Sequence, residues 1–201
     1  MALLARILAP GLSGAEMEDA GQPVPLPPLE EALVENSAPK RRREFALGRA
    51  CARAALEKLG HGDAVIGRDE DGAPRWPEGI AGSITHTKGY AAALVGEATH
   101  FSGIGVDAER VGGVTRDIWP RVFDAEERDH LMTLDPAEQL VVATLLFSAK
   151  ECCYKAWRGR FSFRDVHVTP NGSVFTAVRA GQNLQGRYAI EGGLVLTAAW
   201  F

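Results

Sequence analysis

The stretch DPAEQLVVATLLFSAKECCYKAWRG, residues 135–159, decides which fold class the chain can adopt. Asp135 is a good N-cap, and Pro136 suits a first helical position, where its missing N–H costs nothing. Glu138 falls at the third position and Gly159 supplies a stop. Together they predict one uninterrupted helix of about five to six turns. The carboxyl-terminal segment differs in kind. Residues 163–201, FRDVHVTPNGSVFTAVRAGQNLQGRYAIEGGLVLTAAWF, alternate apolar with polar and break at Asn-Gly and Gly-Gly, which predicts three or four antiparallel strands.

Working back from that helix, DAEERDHLMTL (124–134) carries Asp124 and Glu127 at the N-cap and third position of a capping box. Before it, GIGVDAER (103–110) reads as a strand. Side chains two apart on a strand share a face, so Asp107 and Glu109 aim two like charges at one spot. Either water screens them at a strand end or a cation sits between them. Residues 82–96, GSITHTKGYAAALVG, read as two short strands with TKG turning between them. Earlier still, KRRREFALGRACARAALEKLG (40–60) is an amphipathic helix that starts at Pro39 and stops at Gly60. Phe45, Ala52, Leu56 and Leu59 fit its apolar face; Arg42, Arg49 and Arg53 fall on another. GQPVPLPP (21–28) is a proline-held loop, and GRDEDGAPRWPEG (67–79) a turn-rich connection. The two halves repeat an order: long helix, loop, short strands. This predicts an α+β fold of two subdomains, 1–105 and 106–201, with VDAE at the seam, where sites often lie.

Bulk composition narrows the function classes. With 201 residues, 46% hydrophobic and 24% charged, the chain suits one large domain or two small ones. A formal net charge of −4 argues against a general nucleic-acid binder. Three cysteines, two adjacent (Cys152, Cys153), fit neither a disulfide framework nor zinc spacing; reduced thiols packed in a helix are the simpler reading. Arg6 and Pro10 interrupt the mildly apolar start before a secretory core develops, and no run is long enough to span a bilayer. A cytoplasmic location is expected.

On the long helix, Glu151 and Lys155 are four apart and share a face. Alone they could be an exposed ion pair worth roughly 0.3 kcal/mol. Joined to Asp107 and Glu109, Glu151 completes a hard-oxygen set suited to magnesium, with water and substrate phosphate oxygens as the other ligands. The arginines of the first helix are either a solvated face or a phosphate clamp. His86 is a further phosphate donor or a satisfied core histidine.

RRREFALGR, GSITHTKGYAAALVG, GIGVDAER and FSAKECCYKAW, in this order and at these intervals, resemble the 4′-phosphopantetheinyl transferase superfamily, specifically its two-subdomain group that includes siderophore-pathway enzymes. The likeness runs from about Lys40 to Trp157. It implies a pseudo-twofold α+β monomer, each half a long helix on a small antiparallel sheet, with coenzyme A bound between the halves. It implies metal ligands at Asp107, Glu109 and Glu151, with magnesium the expected ion and manganese an in vitro alternative. Contacts to coenzyme A fall on Arg41, Arg49, Arg68 and His86, with Lys155 beside the reacting pyrophosphate; Arg42, Arg43 and Lys150 are neighbours that could substitute. Glu151 and Lys155 are the expected catalytic pair. The implied activity is that of a magnesium-dependent holo-[carrier protein] synthase serving nonribosomal peptide, polyketide or siderophore synthesis, with an apo acyl or peptidyl carrier protein as partner. A non-catalytic coenzyme A binder and a magnesium-dependent phosphohydrolase are the competing readings. Threonines stand in SITHT where relatives often carry serine, and the Cys152–Cys153 pair is unusual for the motif. Trp119, Val122 and Phe123 are either carrier-docking anchors or core.

Overall fold

Each half of the chain lays one long helix across an antiparallel sheet, in a computed structural model that describes residues 3–159 and 161–201. The α+β expectation holds. In the first half, α2 (Pro39–Glu57) covers a three-stranded sheet, ordered β1 (Ser13–Glu18), β5 (Tyr90–Glu97), β4 (Ile80–Thr87). β4 and β5 are the hairpin expected from GSITHTKGYAAALVG, closed by Lys88 and Gly89, the latter at φ 77°. The edge strand β1 comes from the amino-terminal stretch, which the motifs did not cover. A short helix α1 (Pro28–Ala32) comes after it, and a two-strand ribbon, β2 (Gly67–Arg68) with β3 (Pro74–Arg75), fills the turn-rich connection.

In the second half, α5 (Pro136–Trp157) lies on β6 (Ile104–Arg110) and β10 (Leu194–Trp200). The sheet continues through β9 (Gln182–Glu191) and β8 (Val174–Arg179) to β7 (His167–Asn171), so the carboxyl-terminal segment forms four strands. Asp135 caps α5 by accepting from the N–H groups of Ala137 and Glu138. Asp124 and Glu127 form the reciprocal capping box of α4 (Ala125–Thr133), preceded by a single turn, α3 (Trp119–Val122). The left-handed residue that ends α5 is Arg158, one position before the expected glycine.

Two contacts hold β6 in place, the first within the second half and the second between the halves. Gly103 and Gly105 let α5 rest on the bare backbone of β6: a Cβ on Gly105 would lie 1.9 Å from the Cys152 carbonyl oxygen, and one on Gly103 2.3 Å from that of Ala156. The second contact is polar. β4 and β6 are edge strands of different sheets, and hydroxyls bridge them: Ser83 Oγ accepts from the Val106 N–H (3.1 Å) and Thr85 Oγ1 from the Ala108 N–H (3.0 Å). Edge amides that would otherwise be buried without partners are thereby satisfied. Behind this seam, Leu4, Ile7, Leu94, Phe101, Val106 and Leu196 form one apolar cluster drawn from both halves.

All three cysteines are buried, and burial pushes the Cys51 and Cys153 thiols up to about 12, so packing is their role. Trp119, Val122 and Phe123 are also core, with Phe123 fully buried, which removes them as docking anchors. Among the described residues, no helix is long and apolar enough to cross a membrane.

A methyl group at Gly105 has no space to occupy. Gly105→Ala is expected to lower unfolding free energy by about 1–3 kcal/mol or more. Gly62→Ala, whose Cβ meets nothing closer than 3.5 Å, should change it by no more than about 0.5 kcal/mol. Urea denaturation of the two variants checks the contrast.

Candidate active site

β6 carries Asp107 and Glu109 to the seam, and the close-packed α5 brings Glu151 and Lys155 over them. Lys155 Nζ donates to Asp107 Oδ1 (2.7 Å) and to the Val106 carbonyl (3.1 Å). Thr85 accepts from Ala108 and also donates from its hydroxyl to Asp107 Oδ1 at 3.3 Å. Asp107 Oδ2 is buried and has no partner among the described residues. A carboxylate oxygen left so is costly unless something cationic meets it.

The surrounding charges carry the same sign. Burial pushes the Glu109 carboxyl up to about 7, with Asp107 and Glu151 adding to the shift and Lys155 opposing it. Glu151 is also raised, first by burial, with Lys155 opposing and Asp107 adding. Burial alone would lower Lys155, but Asp107 and Glu151 outweigh it and hold the ammonium more firmly protonated. Three acids thus face one ammonium. The donors are all hard oxygens and one is an orphan, the chemistry a divalent cation takes, although Asp107, Glu109 and Glu151 are not a set whose ligand atoms all lie within 4.8 Å of one another.

A tighter group of potential ligands lies elsewhere: the ligand atoms of Asp124, Glu127 and His167 all fall within 4.8 Å of one another. It already holds a cation. Lys150 Nζ sits 2.6 Å from Glu127 Oε2 and donates to the carbonyls of Phe163 and Val166. Glu127 Oε1 accepts from the Val168 N–H, Asp124 Oδ1 from the Glu127 N–H, and Asp124 Oδ2 faces His167 Nδ1. With those oxygens engaged and an ammonium in the middle, this is an internal ion-pair network that fastens α4 to α5. Lys150 was expected near coenzyme A. Its side chain is fully buried and its three protons are taken, so in this arrangement it has none to offer a phosphate. Burial lowers its pKa against the pull of Glu127.

The same accounting sorts the arginines. Arg42 pairs with Glu31, Arg43 with Asp19, and Arg53 with the fully buried Glu30, whose other oxygen accepts from the Ile66 N–H. Arg41, Arg49 and Arg68 remain. Arg41 Nη1 donates to His86 Nε2 at 2.8 Å, which requires a neutral ring with its proton on Nδ1. Burial holds His86 below its ordinary pKa, with Glu44 opposing and Arg41 reinforcing. Asp107 and Lys155 also act on the ring, so it stands on the seam beside the acids. Arg49 is 4% exposed, donates to the Gly67 carbonyl at 2.8 Å and leaves Nε without a partner. Burial lowers it to about 10, so it stays charged near neutrality. Its guanidinium lies 4.6 Å over the Phe45 ring, and that of Arg68 lies 5.5 Å over the same ring.

Arg68 also lines a cavity of ≈ 440 Å³ with Arg75, Trp76 and Arg158, drawn from both halves. Those last three were missed in the sequence. The Arg-Trp pair inside GAPRWPEG was the available signal, hidden by its turn-rich setting.

Asp107→Asn should abolish any magnesium-induced rise in melting temperature, whereas Glu127→Gln should lower stability and keep that rise. A pH dependence arises from Glu109. Its carboxyl is raised on folding, so without metal its contribution to stability falls as pH climbs from the unfolded value through about 7. A cation must displace that proton, so the magnesium-induced rise should be larger at about pH 8 than at about pH 6, checked by differential scanning fluorimetry.

Known proteins match the chain in two successive stretches. Residues 29–96 match the 4′-phosphopantetheinyl transferase N-terminal domain, and residues 103–199 the 4′-phosphopantetheinyl transferase superfamily. The chain is 36% identical over 220 aligned positions to 4′-phosphopantetheinyl transferase Npt of Nocardia iowensis, covering 98% of each. It is 38% identical over 188 to the transferase Svp of Streptomyces mobaraensis (85% of this chain, 76% of that one). To PptT of Mycobacterium tuberculosis it is 35% identical over 192 (85% and 84%).

Proposed function

The chain belongs to the 4′-phosphopantetheinyl transferase superfamily, and on that premise we propose that it moves the phosphopantetheine arm of coenzyme A to a serine of an apo acyl or peptidyl carrier protein. Adenosine 3′,5′-bisphosphate is the other product. The observation that carries this reading is the convergence of Asp107, with its orphaned Oδ2, and Lys155 at 2.7 Å on a seam that also holds Glu109, Glu151 and His86.

Asp107, Glu109 and Glu151 would hold the divalent cation, magnesium by the character of the donors, and that cation supplies charge neutralisation at the pyrophosphate. The remaining roles belong to side chains. Lys155, tied to Asp107 without substrate, offers its ammonium to the same pyrophosphate. His86 offers its Nδ1 proton, while Arg41, Arg49 and Arg68 bind phosphates farther from the reacting phosphorus and position the substrate for in-line attack. Glu151 takes the serine proton as the serine oxygen bonds to phosphorus and the bond to the departing bisphosphate breaks. Burial raises its pKa, whereas the cation it helps hold would lower it, so a water between Glu151 and the serine is the alternative route for the proton.

Steady-state kinetics with coenzyme A and an apo carrier test the assignment. Arg68→Ala should raise KM for coenzyme A by about tenfold with kcat little changed. Glu151→Gln should lower kcat by about a hundredfold or more. A folded Glu151→Gln enzyme with normal turnover would remove Glu151 as the base. Carrier-independent release of phosphopantetheine or phosphate would favour a hydrolase.

A further inference from the structure

The burial of Trp119, Val122 and Phe123 leaves open where a protein substrate would meet this chain, and a different aromatic face supplies the place. At 3.6 residues per turn, Phe147, Glu151 and Tyr154 fall along one stripe of α5. Tyr154 is 37% exposed, one turn beyond Glu151. Its ring lies 5.3 Å from that of Phe161 and 5.8 Å from that of Phe163; Phe161 in turn meets Trp157 at 5.7 Å, and Phe163 meets Phe147 at 6.0 Å. The platform is held from beneath, because the Lys150 ammonium grips the carbonyls of Phe163 and Val166. Little conformational entropy remains to be lost when something binds it.

Its rim is positive although the chain as a whole is negative. Arg164 is exposed on the 3₁₀ turn Phe163–Asp165, and α3, packed against that turn, presents exposed Arg121. Arg179 lies 4.3 Å over the Phe161 ring. Of the nearby acids, Asp165 is exposed and accepts from the Ser162 N–H, and Asp117 offsets part of Arg121, which leaves the three arginines in excess. An exposed tyrosine on a rigid aromatic bed with arginines around it has the composition of a protein interface centre.

We propose that this face docks an acidic protein whose serine then reaches Glu151, an inference that rests on the transferase reading. Arg121 and Arg164 meet its carboxylates and steer its approach, while Tyr154 enters an apolar patch beside the serine.

The test is calorimetric binding of an acidic apo-carrier domain with its acceptor serine changed to alanine, so that affinity is read without turnover. Tyr154→Ala and Arg164→Glu should each weaken binding at least about tenfold (1.4 kcal/mol), leave coenzyme A affinity unchanged and raise KM for the unaltered carrier with kcat within about twofold. Both residues are exposed, and melting temperatures confirm the fold; Arg121→Glu is a third variant of the same rim. Variants that bind the carrier like the parent, or a parent that does not bind it, overturn the proposal. Sedimentation showing a dimer that Tyr154→Ala dissociates would make the face a self-interface and overturn it too. A parent that binds the carrier but transfers nothing would instead contradict the transferase reading and leave the docking face standing.

Discussion

The close approach of the Cys152 carbonyl to Gly105 is the contact on which the site depends. Helix on sheet ordinarily packs through side chains. Here, Gly105 on β6 and Gly103 just before it remove that layer, and Cys152 and Ala156 of α5 come down onto bare backbone. The consequence is positional. Glu151 and Lys155 flank those two helix residues, so lowering the helix lowers them to the depth of Asp107 and Glu109. The Cys152 thiol donates to the Gly105 carbonyl at 3.3 Å and Lys155 to the Val106 carbonyl, so the helix is also keyed along the strand.

The second requirement is that two sheets meet without merging. Ser83 and Thr85 accept from alternate amides of β6, which satisfies that edge while leaving β4 free to pair with β5. Thr85 also donates to Asp107, so the device that joins the halves orients the first acid. Threonine at that position serves this through its hydroxyl. The electrostatics then divide into two kinds. Around Glu127 and Lys150 every carboxylate oxygen has a partner, which is what a buried structural pair requires, since removing one partner costs about 3–5 kcal/mol. Around Asp107 the acids outnumber the ammonium and one oxygen has no partner, the imbalance expected where an ion and a charged substrate arrive.

Much of this was legible in the sequence wherever periodicity and capping agreed. The Asp135 cap, the Asp124–Glu127 box and the hairpin at Lys88–Gly89 are local signals, and each forms as read. Asp107, Glu109 and Glu151 could be grouped because motif order constrained them. The arginines could not be sorted. Arg42, Arg43 and Arg53 are claimed by Glu31, Asp19 and Glu30, acids in a proline-broken stretch whose folding back on α2 leaves no periodic trace. Lys150 adjoins Glu151 in sequence, yet one residue is about 100° around a helix, enough to turn it from the site into the core. Trp119 and Phe123 read equally well as anchors or core because composition alone does not say which side of a single helical turn faces inward.

The central claim is that the acids and Lys155 at the seam form a metal-dependent group-transfer site. Intact-protein mass spectrometry of an apo carrier incubated with this chain, coenzyme A and magnesium tests it most directly. The account predicts a gain of one phosphopantetheine on the carrier's serine that a chelator abolishes. No gain on acyl or peptidyl carriers by protein shown to bind coenzyme A, or a gain indifferent to the chelator, would contradict it.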